Sequence, residues 1–248
     1  MGERAAPGET RRAANDSTPT RSLQDKRRSY HRAMAKKSAV DEASDTKAQR
    51  TRTRILDAAA RVLSAKGYAG TRLTDVAEQA ELQAPAIYYY FKSREDLIEE
   101  VMFCGISDMR RHLQQTLDAL PADTDSMDRI LAAVASHLQH ELELSDYARA
   151  TIRNSGQIPA HLKTRQKKEE AALDRIWRGL VKNAVADGQI RADLDPPLAQ
   201  ALILGALNWA AEWWDPRRNS VETMVQNAKV FVRHSLSPAL SPKPRRRR

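Results

Sequence analysis

From residue 51 onward, apolar side chains recur at three- and four-residue intervals between short polar stretches, so the chain predicts a succession of α-helices. Ile55, Ala59, Val62 and Leu63 share one face of a first helix, and Gly67 stands where a left-handed C-cap residue belongs. The segment LTDVAEQA gives a short second helix, with Val76 and Ala77 inward and Asp75 near the positive end of the helix dipole. After the link Glu81-Leu82, QAPAIYYYF carries Pro85 in the first turn of a third helix over 83–90. Successive helical residues point about 100° apart, so three consecutive tyrosines cannot enter one core. Tyr90 joins Ile87 and Phe91 against Val62 and Val76, which turns Tyr88 and Tyr89 outward. From Arg94, Leu97, Val101, Ile106, Leu113 and Leu117 keep a helical period as far as Pro121, long enough to connect two units. Further helices are predicted over 127–143, 147–155, 162–187 (closed by Gly188), 197–214 and 221–236. Joined by short loops, they make a helical bundle, and the fold class is all-α.

Composition agrees with that pattern and narrows the function. Aromatic residues are 5% of the chain and the 9 glycines lie mostly at segment ends, which favours helices over sheets. The most apolar stretch, 198–211, is too short and too interrupted to span a bilayer, and the first thirty residues lack the apolar core of a secretory signal. A cytoplasmic protein is expected, and the lone Cys104 fits as a buried structural thiol in a reducing compartment. The formal net charge of +9 is unevenly placed. Residues 1–50 hold 12 Lys/Arg against 7 Asp/Glu, residues 51–94 hold 7 against 4, and 95–242 hold 17 against 21, with five more basic residues among 243–248. Basic ends on a mildly acidic body suit an anionic polymer at one end of the molecule. Residues 1–46 read as a disordered basic arm, within which Met34 is a candidate translation start, and 238–248 as a disordered basic tail.

Catalytic signatures do not occur: there is no nucleophile elbow, H-E-x-x-H, clustered Cys/His set or dinucleotide fingerprint, so an enzyme is not expected. His137 and His140 have i, i+3 spacing but no third ligand in view, so neither a metal site nor a cofactor is expected. The run TRTRILDAAARVLSAKGYAGTRLTDVAEQAELQAPAIYYYFKSREDLI, residues 51–98, carries ILDAA, DVA and IYYYFKSREDL in an order and spacing that resemble the DNA-binding domain of TetR-family repressors. The resemblance implies an N-terminal three-helix helix-turn-helix domain over 47–94 and a C-terminal helical bundle over 95–237 for effector binding and dimerisation. Its recognition helix would place Gln83, Ala84 and Ala86 at base edges, where Gln83 has paired donor and acceptor groups for adenine and either alanine meets a thymine methyl. Tyr88, Tyr89, Lys92 and Arg94 would meet phosphates, with Arg72 and Thr74 at the start of the second helix and Arg52 and Arg54 on the first. Two positions depart from the family: Glu81 stands where glycine is usual, and Gln83 where a small hydroxyl residue is usual.

In the C-terminal half, YARATIRNSGQIPAHL, DGQIRADLDP and LILGALNWAAEWWDP resemble an acyl-CoA-responsive, KstR-like subgroup associated with lipid and sterol degradation. Arg149 and Arg153, beside the apolar Ile152, Ile158, Ile176, Trp177 and Leu180, would bind the phosphates or carboxylate of an amphipathic effector. The same apolar residues also suit a solid core. Helices 197–214 and 221–236 match the family's dimer pair, with Leu202, Gly205, Ala206, Trp209, Trp213, Val225 and Val232 at a twofold interface. The function expected is a homodimeric, ligand-responsive transcriptional repressor released from a palindromic operator. The alternative is a sequence-nonspecific or architectural DNA-binding protein whose basic tails dominate.

Overall fold

The computed structural model describes residues 47–238; the basic arm expected over 1–46 and the tail from 239 onward lie outside the described residues. Within them run nine α-helices and no strand: α1 (Lys47–Gly70), α2 (Leu73–Gln79), α3 (Ala84–Ile87), α4 (Arg94–Asp118), α5 (Ser126–Gln139), α6 (Asp146–Asn154), α7 (Thr164–Ala186), α8 (Pro196–Trp213) and α9 (Val221–Leu236). The sequence supplies the boundaries chemically. Side chains of Ser93, Asp125, Ser145, Asp195 and Ser220 each accept a backbone N–H from the first turn of the helix that follows. Gly188, at φ 67°, closes α7 as predicted.

Three local departures have physical causes. Gly67 has the expected positive φ of 72° but an extended ψ of 175°, so it kinks the end of α1 instead of forming a left-handed cap. The third helix is shorter than 83–90: α3 is one turn, continued by looser turns through Tyr90, because Gln83 provides no side-chain cap and Tyr90 N bonds back to the Ile87 carbonyl. The helix predicted over 127–143 widens after α5 into a π-turn at His140–Leu144, closed by Ser145 N on the His140 carbonyl at 3.0 Å.

Glu81 adopts a φ of 54°, the left-handed conformation that disfavours a side chain. Glu81→Gly is expected to stabilise the protein by up to about 1 kcal/mol in urea unfolding; an unchanged midpoint would show that the turn tolerates the side chain freely.

The apolar residues form two cores. One joins α1, α2 and α3 to the first half of α4 and reaches across to Ala150, Ile158 and Leu162. The other packs the second half of α4 with α5, α7, α8 and α9 around Ile130, Leu138 and Trp177. The boundary expected at residue 94 is therefore not a boundary of packing: α4 belongs to both cores, and α6 lies against α1 and α4. Cys104, expected to be buried, is only half-buried; desolvation first, then Glu100 and Asp108, push its thiol up to about 11.

Candidate functional site

The α2–α3 unit presents a continuous polar and aromatic face. Arg72 precedes α2 in extended conformation and is exposed, as are Thr74, Gln83 and Lys92, while Ala84 and Ala86 are half-buried at the base of α3. Ile87 and Phe91 are sunk in the core, with Tyr90 half-buried against it. Tyr88 and Tyr89 stand out at 59% and 83% exposure, as the 100° rotation requires. Arg54 is exposed on α1.

Two arginines are placed differently from the others. The Arg52 guanidinium lies 3.2 Å from Glu100 and 4.9 Å from the Phe91 ring centroid, on the side of α4. Arg94 turns inward. Its Nε donates to the Thr71 carbonyl at 2.7 Å, one Nη to Glu95 at 2.9 Å and the other to the Tyr68 carbonyl, with the guanidinium 4.5 Å from the Tyr68 ring centroid. Its donors thus satisfy carbonyls at the end of α1, and Arg94 ties the turn before α2 to the start of α4 rather than facing outward toward a phosphate. Hydrophobic periodicity carries no signal for such a tie.

Behind this face, α6 couples the two halves through side chains that the sequence pattern does not single out. Asn154 Oδ1 accepts from Tyr68 N at 2.7 Å, while its Nδ2 donates to the Leu63 carbonyl at 3.3 Å. Tyr147 donates to Asp57 on α1 at 2.8 Å; burial and that carboxylate hold the phenol protonated. Arg153 bridges Ser64 O on α1 at 2.6 Å and Glu212 on α8 at 2.7 Å. Arg149 is spent locally, on the Leu142 carbonyl at 2.9 Å and Asp146 at 3.6 Å.

Two spaces adjoin α6. A cleft of about 590 Å³ opens between the end of α1, α6 and α8, with Lys66, Arg153 and Gln157 on its polar side and Gly205 and Trp209 on the other. Behind it lies a cavity of about 190 Å³ among Ile106, Met109, Leu173, Trp177 and Leu204. Ile152, Ser155 and Asn208 border both. Of the ligand residues expected from sequence, Ile152, Arg153 and Trp177 are at these spaces. Ile158 is instead buried in the N-terminal core, Leu180 fills the C-terminal core and Ile176 packs against it, so none of these three lines either space. Arg178 pairs with Asp174 at 2.9 Å.

Next to the cavity is a buried acid–imidazole pair. His137 Nε2 lies 3.6 Å from Glu141 Oε2, with side-chain exposures of 4% and 0%. Desolvation lowers His137 to about 4 and raises Glu141 to about 8, the latter against the opposing pull of Arg149. Both are neutral at pH 7. Because the folded Glu141 holds its proton above the unfolded value of 4.5, the unfolded chain binds fewer protons between about pH 4.5 and 8, and stability falls as pH rises through that window. Glu141→Gln is expected to flatten this fall, removing roughly 3 kcal/mol of its span between pH 5 and 7.5; parallel unfolding profiles for both proteins would contradict the assignment.

A third surface runs along α8. Leu202, Trp209 and Trp213 are 68%, 65% and 57% exposed, and Gly205 and Ala206 share their face. A methyl group added at Gly205 would meet nothing within 4 Å, so this glycine admits no close helix inside the protomer. On α9 the expectation needs correction. Val225 and Val232 are buried in the protomer's own core, and the apolar side chains that α9 exposes are Val230 and Phe231. The adjacency of inward and outward apolar residues on α9 hid the difference.

A short helix pair with an outward recognition turn, mounted on a helical bundle that encloses cavities, defines the class of helix-turn-helix DNA-binding regulators. Residues 55–101 match the bacterial regulatory proteins of the tetR family, and residues 123–234 match the tetracyclin repressor-like C-terminal domain. The chain belongs to the TetR family of transcriptional regulators. It is 25% identical over 167 residues to the HTH-type transcriptional repressor KstR2 of Mycolicibacterium smegmatis, covering 66% of this chain and 80% of that protein. The crystal structure of FadR from Bacillus subtilis in complex with stearoyl-CoA aligns with a TM-score of 0.61 at 18% identity, covering 74% of this chain and 98% of that one. The structure of AibR in complex with isovaleryl coenzyme A and operator DNA aligns with a TM-score of 0.61 at 20% identity, covering 76% and 99%. No helix among the described residues is long and apolar enough to cross a membrane.

Proposed function

We propose that this chain is a homodimeric repressor that holds a palindromic operator with its α2–α3 face and releases it when an amphipathic effector of the acyl-CoA class enters beside α6. The observation that carries the proposal is the double use of α6. One side of it, with Thr151, Ile152 and Ser155, borders the cavity; the other is hydrogen-bonded to α1 through Asn154, Arg153 and Tyr147. A ligand that displaces α6 therefore moves the helix on which the reading head is built. In a dimer, a small tilt takes the two heads away from half-sites about 34–36 Å apart, and the ligand favours whichever state it binds better. The relatives with CoA thioesters in their structures support the effector class, and the cleft's Lys66 and Arg153 suit its phosphates.

Each DNA-facing residue has a role in this proposal. Gln83, with Ala84 and Ala86, reads base edges; Tyr88, Tyr89, Arg72, Thr74, Lys92 and Arg54 grip the backbone; Arg52 and Arg94 position α4 beneath them. Tyr88→Phe is expected to weaken binding to all sequences alike, whereas Gln83→Ala relaxes preference at one base position, costing roughly 1–3 kcal/mol of discrimination. Binding-site selection from a random library checks this, and an unchanged site profile for Gln83→Ala would overturn its role. Footprinting the full chain on its own promoter region tests the function. A discrete palindrome is expected, whereas uniform coverage with steep salt dependence would favour an architectural DNA binder.

A further inference from the structure

The cavity behind α6 has a chemical character that the effector class alone does not specify. Trp177 is 1% exposed and His137 is 5% exposed, and both border the cavity. Trp177 Nε1, which can only donate, has no hydrogen-bond partner in the protein. The His137 imidazole beside it has only Glu141 Oε2 at 3.6 Å and the Asn208 side chain as polar neighbours. A buried indole N–H without an acceptor is costly, so one that faces a cavity marks a place where a ligand atom completes the set. The remaining polar groups narrow which atom that is. Glu170 and Asp174 lie on the same boundary and no lysine or arginine does, so an anionic group entering there would meet carboxylates and no counter-charge. Each of these acids already has a partner: Glu170 accepts from Gln166 at 2.6 Å, and Asp174 accepts from Gln200 at 2.8 Å and pairs with Arg178 at 2.9 Å. A cationic ligand would have to compete with those contacts. Size narrows the choice further. A dry cavity of about 150 Å³ accommodates one benzene ring, so about 190 Å³ holds roughly six to eight carbon atoms of a ligand.

We infer that the cavity is a specificity site for a compact, uncharged group of about six to eight carbons that carries a carbonyl or hydroxyl oxygen, hydrogen-bonded by Trp177 Nε1 with His137 beside it. The oxygen accepts from the indole N–H. His137, kept neutral by burial, adds a donor to that oxygen when its cavity-facing nitrogen carries the proton, and accepts in the other tautomer only where the oxygen is a hydroxyl. The rest of the effector leaves past Ile152, Ser155 and Asn208 into the cleft that holds Lys66 and Arg153. Only this outer half depends on the function proposed above.

The test uses the full chain and ligand-observed NMR with four six-membered rings: cyclohexanone, methylcyclohexane, cyclohexanecarboxylate and cyclohexylamine. Cyclohexanone is expected to bind at least tenfold tighter than the other three. Trp177→Phe, which keeps an aromatic ring but removes the donor, is expected to abolish its advantage over methylcyclohexane. Leu204→Trp, on the half-buried side of the cavity, is expected to block all binding, and its thermal unfolding shows whether it remains folded. The proposal is overturned if cyclohexanone does not bind the wild-type protein, if the carboxylate or the amine binds as tightly, or if Trp177→Phe keeps the ketone preference while folded. The function is scored separately, by operator release with cyclohexanecarboxyl-CoA and stearoyl-CoA. Ring-ketone binding without release by any thioester leaves the cavity assignment standing and removes the CoA reading. Release by stearoyl-CoA with no ketone binding does the reverse.

Discussion

Gly105→Ala should be among the most damaging single-methyl changes in the protein. A Cβ at this position would collide with Thr151 Oγ1 and lie 2.5 Å from the Tyr147 carbonyl oxygen and 2.9 Å from its carbon, and a backbone neighbour cannot rotate away. The bare backbone at Gly105 is what allows α4 and α6 to cross so closely. Separating them opens the Thr151 hydrogen bond to the Met102 carbonyl and loosens the junction beside the cavity. Overpacking of this kind costs about 2–3 kcal/mol, which for a chain of this size lowers Tm by roughly 5–10 °C. Operator affinity should fall with it, because α6 is the element hydrogen-bonded to α1. Gly205→Ala is the matched control, with nothing within 4 Å of the added methyl, and its protomer should melt as the wild type does. Differential scanning calorimetry of both variants decides the point; equal Tm values would mean that the α4–α6 crossing is not the tight contact described.

The second large effect concerns assembly. Trp209, Leu202 and Trp213 on α8, with Val230 and Phe231 on α9, leave apolar surface exposed on one protomer, and a second copy is the occupant proposed for it. Trp209→Asp combined with Phe231→Asp should leave the folded protomer intact, since both side chains lie outside its core, yet yield monomer at micromolar concentration. Operator affinity should fall by at least about 10²-fold, because two half-sites no longer share one binding event. Light scattering with circular dichroism measures both consequences. A double variant that remains dimeric would place the interface elsewhere.

Much of this architecture is legible along the chain because local rules and tertiary packing agree. The 3.6-residue period and the closing Gly188 place most helices within a residue or two, and the tyrosine triplet sorts inward from outward by rotation alone. What escapes is non-local. Arg94 looks like a phosphate ligand until the Tyr68 and Thr71 carbonyls are brought to it across more than twenty residues of chain. Ile158 and Trp177 are both apolar and buried, yet only the fold assigns one to the core under the reading head and the other to a cavity wall. Val225 and Val232 lie on the same helix as Phe231, and α5, against which α9 packs, determines which of them face inward. Hydrogen bonds from Asn154 and Tyr147 to α1 span about ninety residues, a distance over which periodicity carries no information.

The central claim, that effector and operator bind the same molecule in opposition, is most directly tested by reciprocity. Fluorescence anisotropy of the labelled operator complex, titrated with cyclohexanecarboxyl-CoA and with free CoA and the free acid as controls, gives the factor by which effector weakens DNA binding. Calorimetry with and without unlabelled operator gives the factor by which DNA weakens effector binding. The account predicts that the two factors are equal, within the 5–150-fold range typical of a coupling of about 1–3 kcal/mol, and that the controls do nothing. An operator complex that is unmoved by every CoA thioester, or thioester binding that is indifferent to DNA, would contradict it.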